Sequence, residues 1–350
     1  KFSELKNSLK QNNSFLKNVN GSLLSFIIEY CHSEVSKKIF IISHDNDRIV
    51  KLKDDIETIN DKINSSVYST KLSDSESVSK ILLDLTENKE FIVLANASDL
   101  SNKLISKEKF RDSLIELKKN SVYSFDDLIS TLNKYDFNRK DFVDEEGYYS
   151  VRGGIIDLFS ENMESPVRIE FFGDTIESIR EFDINSQRSV REIESIKIGI
   201  NLSSNEEDKA YNIDETISDY ISDDVLIFID EPEISLSQIA DEKIQNELKK
   251  FKTVYVSAFS NVLIENSDTE NPVTFDEINF DSKPQPEFHS NLKSLYQNLL
   301  ENYNNGNSLY ILASDEHQSK RIKELIEDFE DESVIEQDEI IHHESESDKS

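Results

Sequence analysis

Apolar positions in the first hundred residues come in short runs of two alternating kinds. Residues 22–31 are apolar enough for a buried helix, and KKIFIIS (37–43) is a β-branched run of buried-strand length. Asp45 predicts the N-cap of a helix carrying Ile49, Leu52, Ile56 and Ile59 on one face. Residues 61–76 are polar and serine-rich and predict a loop. KILLDL (80–85) predicts a short helix, and FIVLA (91–95) a second buried strand. Helices alternating with wholly apolar strands predict an α/β layer with a parallel sheet. Ser124 predicts another N-cap, before FDDLISTLNKY.

From about residue 142 the period shortens. YYSV, GIIDLFS and PVRIEFF are β-rich and separated by Gly, Asn, Pro or Asp, which predicts a small, mostly β domain. Near 210 the helix–strand alternation returns. VLIFI (225–229) and TVYVS (253–257) predict buried strands, with one helix, SLSQIADEKIQNELKKF (235–251), between them. Residues 272–286 hold three of the five prolines and predict a linker. Beyond it, Phe288, Leu292, Leu295, Tyr296, Leu299, Leu300 and Tyr303 form a helical stripe. SLYILAS (308–314) predicts a strand, and Ile322, Leu325, Ile326 and Phe329 a further helix.

The pattern therefore predicts an α/β domain in two parts, 1–119 and 208–283. An inserted, mostly-β (α+β) domain at 120–207 interrupts it, and a further α/β domain begins at 284–350 and stays incomplete. The chain starts at Lys1 and closes on the acidic run EDFEDESVIEQDEIIHHESESDKS, which predicts a piece of a longer protein.

Charge narrows the choice of partner. The formal net charge of −32 and the lack of any Lys/Arg run argue against direct DNA binding, which needs clustered cations to displace counterions. The acidity fits solubility or a saline habitat, with mimicry of DNA as the second reading. One cysteine, Cys31, excludes an internal disulfide, and its apolar helical setting predicts core packing. Without a long apolar run or a signal peptide, the chain reads as cytoplasmic, with no membrane partner.

The expected chemistry is sparse. No glycine stands near a Lys-Ser or Lys-Thr pair, so the phosphate loop GxxxxGK[ST] is absent. Its nearest counterpart is NVNGSLLSFII (18–28), one glycine entering a helix with no lysine. VLIFIDEP (225–232) resembles a strand ending in a Mg²⁺-binding acidic pair, but without a phosphate loop Asp230 and Glu231 read as a polar strand end. His342 and His343 are adjacent and point apart on any regular element, a weak metal motif. No GxSxG elbow occurs. The expectation is a chain without catalytic residues, cofactor or metal site.

One block stands out. Four of seven glycines (Gly147, Gly153, Gly154, Gly173) and five of nine arginines (Arg152, Arg168, Arg180, Arg188, Arg191) crowd together, and no lysine lies between Lys140 and Lys197. In PVRIEFF, alternation puts Val167, Ile169 and Phe171 on the core face and Arg168, Glu170 and Phe172 on the other. Arg152 can face out by the same logic, and the Gly-Gly after it permits a tight bend. Arginines beside aromatics suit a protein interface. The bland alternative is that each arginine pairs with one of the eight acidic residues between 148 and 191. The residues alone leave both open.

The segment YYSVRGGIIDLFSENMESPVRIEFFGDTIESIREFDINSQRSV resembles the module shared by UvrB and the bacterial transcription-repair coupling factors (Mfd). VRGGIIDLF, PVRIEFFGD and above all FDINSQRS resemble the coupling factors, since the UvrB counterpart usually ends in a variant of DPLTG. VYSFDDLISTLNKYDFNRKDFVDEEGYYS fits the same pattern upstream, and a weaker likeness runs over 18–120 and 208–330. The resemblance implies a degenerate helicase-like α/β domain, of the P-loop type without its phosphate loop. It also implies that NSSVYSTKLSDSESVSK replaces the long DNA-probing hairpin of UvrB.

Coupling factors find RNA polymerase stalled at a lesion, displace it using ATP, and recruit UvrA. The resemblance implies that this chain is the UvrA-recruiting part, binding through 120–207. RNA polymerase, duplex DNA, ATP and Mg²⁺ would then belong to domains C-terminal to the matching region. Three UvrA-contacting residues of the family map by motif onto Arg152, Arg168 and Phe172. They are expected to form one exposed cluster whose substitution leaves stability unchanged. The competing readings are a UvrB-like ATPase and a free-standing acidic interaction protein.

Overall fold

The computed structural model describes residues 1–63, 65–69, 78–87, 89–200, 213–259, 275–284, 286, 288, 291–311 and 316–326. Residues 1–283 form one compact unit and 284–350 a second.

Seven strands make the parallel sheet of the first unit. Their spatial order is Phe275–Asn279, Asn13–Lys17, Lys252–Val256, Leu226–Asp230, Lys38–Ser43, Phe91–Asn96 and Ser65–Tyr68. Every adjacent pair is parallel. Two cores explain why the central strands are continuously apolar. Phe40, Ile42, Val93, Ile227 and Ile229 pack on one side of the sheet. Their alternates Ile39, Ile41, Ile92, Leu94, Leu226 and Phe228 pack on the other. Leu226–Asp230 returns to the sheet centre beside Lys38–Ser43, in register Leu226↔Ile39. The intervening β-rich segment is therefore an insertion into a finished α/β layer.

The helices follow their signals. Asp45 caps Asn46–Ile59, its carboxylate accepting from the backbone N–H of Asp47 and Arg48, with Ile49, Leu52 and Ile56 buried. Helix Leu23–Glu34 buries Cys31, and burial pushes the thiol up to about 12, as suits a core cysteine. No helix among the described residues is long and apolar enough to cross a membrane.

Four expectations need correction. Ser65–Tyr68, expected as loop, is an edge strand whose four residues are all buried. Its Ser65 hydroxyl donates to Glu57 at 2.9 Å, so serines that satisfy themselves locally fill a place where apolar residues were sought. Phe275–Asn279, expected as linker, is the opposite edge strand. It pairs with Asn13–Lys17, with Ile278 buried and Phe275 packed on Phe15 and Tyr255. Prolines flank this strand but do not enter it, and proline is tolerated at sheet edges. The helix expected over 235–251 is two, Pro232–Ser237 and Glu242–Leu248, because Asp241 caps the second by accepting from Lys243 N–H. In the second unit, Leu292–Asn304 is helical as its stripe predicts, and so is 316–326. Residues 308–311, however, form no strand, and 312–314 lie outside the described residues.

The inserted domain packs one helix on one mixed sheet. The sheet order is Ser189–Glu192, Thr175–Phe182, Val167–Phe172, Ile155–Phe159, Tyr148–Arg152 and Asn138–Arg139. All pairs are antiparallel except the last. Helix Phe125–Lys134, capped by Ser124, sets Leu128 and Leu132 against Tyr149, Ile156, Leu158, Ile169, Ile176 and Ile179. A ribbon of Ile115–Lys118 and Ser195–Ile198 closes this core with Leu117 and Ile198.

Two-residue turns join the key strands. Gly153 (φ +59°) and Gly173 (φ +63°) supply the left-handed backbone that tight hairpins need. Gly154 is required for another reason. A Cβ there would lie 2.7 Å from the Phe171 carbonyl oxygen, and Phe171 N–H donates to the Gly154 carbonyl at 2.8 Å. Gly154→Ala is expected to destabilise the inserted domain by about 1–3 kcal/mol, because backbone on both sides must yield. A thermal melt of the variant checks this, and an unchanged midpoint contradicts it.

Candidate protein-docking site

The sheet of the inserted domain has a second face, away from helix Phe125–Lys134, and the arginine block lies there. Alternation in Val167–Phe172 runs as expected, with Val167, Ile169 and Phe171 buried and Phe172 76% exposed. Cross-strand register aligns two rows on this outer face. Ser150, Asp157, Arg168 and Arg180 form one, and Arg152, Ile155, Glu170 and Ser178 the next. Phe172 lies beyond the second row, beside the Gly153-Gly154 turn.

Asp157 organises the face. Only 1% of its surface is exposed. It accepts a bidentate pair from Arg168, Nε to Oδ1 at 2.7 Å and Nη2 to Oδ2 at 2.9 Å, and a further bond from the Arg152 guanidinium. A carboxylate so far from water is tolerable only with such partners. Beside Asp157, the Arg168 guanidinium is held above its ordinary range. It also lies over the Phe182 ring at 5.0 Å and reaches the Gln187 carbonyl at 3.4 Å. In the second row, Glu170 accepts from Ser178 at 2.7 Å and Arg180 at 3.4 Å.

The three expected site residues thus differ in kind. Phe172 is fully presented. The Arg152 side chain is 44% exposed, with its guanidinium 5.8 Å from the centre of the Phe142 ring. Arg168, expected to be exposed, is only 17% so. The reason is a roof over that end of the face, where Val143, Phe159 and Phe182 form a small buried cluster. The Gln187 side chain ties the roof together, donating to the carbonyls of Ile184 at 2.7 Å and Val143 at 3.2 Å. The expectation that Arg168→Ala leaves stability unchanged is corrected accordingly, since that substitution strips a buried carboxylate of its bidentate partner. Sequence reasoning missed Asp157, Phe182 and Gln187. A signal existed for Asp157, a lone charge at an alternate position of the apolar strand GIIDLF.

The strand end at Asp230 and Glu231 is bound into the protein. Buried Asp230 accepts from Ser43 Oγ at 3.2 Å and Arg48 Nε at 3.3 Å. Glu231, at φ +44°, accepts from Ala258 N–H at 2.7 Å and Ser257 Oγ at 3.0 Å. Arg48 also donates to the carbonyl of Gly21, in the turn before helix Leu23–Glu34, at 3.2 Å. His342 and His343 lie outside the described residues.

Residues 115–201 match the family model described as the UvrB interaction domain. The stretch begins at the strand Ile115–Lys118 that closes the inserted domain's core. Among curated proteins, the chain is 29% identical over 195 residues to the transcription-repair-coupling factor of Bacillus subtilis, covering 53% of this chain and 17% of that protein. The protein of the same name from Staphylococcus haemolyticus is 27% identical over 288 residues, 75% of this chain and 23% of its own length. That of Myxococcus xanthus reaches 44% over 73 residues, 21% of this chain and 6% of the relative. The chain therefore matches less than a quarter of these relatives' own lengths. A match to the UvrB interaction domain within the β-rich insertion, and relatives of one name that together reach across three quarters of the sequence, make this chain similar to the transcription-repair-coupling factors.

Proposed function

We propose that this chain is the UvrA-recruiting region of a transcription-repair coupling factor, and that the outer face of its inserted domain is the docking surface. The observation that carries this reading is a 76% exposed phenylalanine, Phe172, on the same face as arginines fixed by a buried carboxylate. An exposed aromatic beside a pre-positioned guanidinium matches the make-up of interface hot spots, and fixed side chains lose little entropy on binding. Arg152 and Phe172 touch the partner, and Arg168 holds Asp157 and through it Arg152. Titration of the whole chain with purified UvrA tests the reading, and saturable binding that Phe172→Ala removes is the expected result.

In this reading the chain works as a cytoplasmic binding module, without catalysis or cofactor. The motivation is that the sequence holds no GxxxxGK[ST] phosphate loop, and Asp230 is already engaged by Arg48 and Ser43. RNA polymerase, duplex DNA, ATP and Mg²⁺ are assigned to the parts of the longer relatives outside the matching stretch. Accordingly, a fluorescent ATP analogue with Mg²⁺ is expected to show no saturable binding to this chain. ATP turnover that co-purifies with the chain and is lost in Asp230→Ala would contradict this.

A further inference from the structure

Four of the five arginines in the block are spoken for. Arg152 and Arg168 pair with Asp157, Arg180 with Glu170, and Arg191 with Glu181. Arg188 is exposed, and its guanidinium has no hydrogen-bond or ion-pair partner among the described residues. The turn that presents it is nonetheless tightly built. Asp183 N–H donates to the Arg188 carbonyl at 2.9 Å, and Gln187 N–H to the Asp183 carbonyl at 2.8 Å. The Asp183 carboxylate accepts from Ser186 N–H at 2.8 Å, and its bonds to Ser186 hold it below the usual carboxylate range. Gln187 adopts a left-handed backbone (φ +56°) and anchors its amide on two carbonyls. A residue next to such an anchor is held in place.

The turn also adjoins the docking face, because Arg168 Nη1 donates to the carbonyl of Gln187, the residue before Arg188. Arg168 and Phe172 are four positions apart on one strand, roughly 13 Å at about 3.3 Å per residue. A standard interface covers about 800 Å² per partner, a patch roughly 30 Å across. One partner can therefore span Phe172, Arg152 and Arg188. The chain carries a formal net charge of −32, and at the edge of this face the turn presents an exposed guanidinium with no acidic partner among the described residues.

We propose that Arg188 is a further contact residue of this docking face and takes a carboxylate of the same partner, so that the face reads an acidic side chain at its roofed end and an apolar one at Phe172. The proposal rests on the UvrA reading above. A planar guanidinium gives the bidentate geometry that a carboxylate prefers, and lysine in its place would lose it.

The test is isothermal titration of purified UvrA with the whole chain and its Arg188→Ala, Arg188→Glu, Arg188→Lys, Phe172→Ala and Arg111→Glu variants, at two salt concentrations. Arg111 is an exposed arginine on helix Lys107–Ser113 of the α/β layer and controls for net charge alone. Arg188→Ala is expected to weaken binding about tenfold and Arg188→Glu on the order of a hundredfold, with lysine between wild type and alanine. Arg111→Glu should stay within about twofold, since charges beyond a Debye length of about 8–10 Å are largely screened. All melting midpoints should match wild type. Unchanged affinity in Arg188→Glu, or an equal loss in Arg111→Glu, overturns the contact. If wild type does not bind UvrA, the docking reading itself falls. If wild type binds, Phe172→Ala does not, and Arg188→Glu does, only the role of Arg188 falls.

Discussion

Asp157→Ala is expected to cost the inserted domain about 3–5 kcal/mol, the largest stability loss foreseen for any polar position here. The carboxylate is almost fully buried and binds two guanidiniums, one of them bidentate. Removing it leaves Arg168 shielded over Phe182 without its bidentate partner, and breaking a buried pair on one side carries a penalty of about this size. Domains of this kind hold only about 5–15 kcal/mol in reserve, so a large part of it goes. Asp157→Asn should lose less, because the amide oxygen still accepts from Arg168. Denaturant titration of both variants checks the order. A melt of Asp157→Ala that overlays wild type would mean that the two arginines rehydrate freely and that the carboxylate does not organise the face.

Phe171→Ala and Phe172→Ala are expected to behave oppositely although they are neighbours. Phe171 packs edge-on against Phe125 at 5.2 Å inside the domain core, so its loss should cost about 3–5 kcal/mol of stability. Phe172 is 76% exposed, so its loss should leave stability within about 0.5 kcal/mol and instead weaken UvrA binding by about 2 kcal/mol or more. The register shift between Glu170 and Phe171 sharpens the test, because a slip of one residue would exchange the two faces. Thermal melts and UvrA titrations of the two variants decide it. A destabilised Phe172→Ala beside an intact Phe171→Ala would put the proposed face in the core.

Much of the architecture is legible in the sequence where one physical cause dominates. Strands buried on both sides, such as Lys38–Ser43 and Phe91–Asn96, carry unbroken apolar runs between their ends, and they announce themselves. Edge strands are half-relieved of that demand. Ser65–Tyr68 fills its places with hydroxyls, and Phe275–Asn279 sits between prolines, so both read as loop. The break between Pro232–Ser237 and Glu242–Leu248 hides because Asp241 looks like an ordinary surface acid until its capping bond is seen.

At the site, strand alternation finds Phe172 and the side of the sheet on which Arg168 lies. It cannot find the roof. Phe182 and Val143 come from segments 39 residues apart in sequence, and only their meeting turns Arg168 from a surface residue into a shielded one. Nor can spacing separate paired arginines from free ones. Arg152, Arg168, Arg180, Arg188 and Arg191 look alike along the chain, and only the folded arrangement shows that four of them meet carboxylates while Arg188, in the turn before Ser189–Glu192, meets none among the described residues.

The central claim is that the outer face of the inserted domain docks UvrA. Its most direct test is one titration of purified UvrA, read by calorimetry, into the whole chain and into Phe172→Ala, with melts of both proteins recorded beside it. The account predicts saturable binding by wild type, at least about thirtyfold weaker binding by the variant, and superimposable melts. Equal binding by the two proteins, or no binding by wild type, would contradict it.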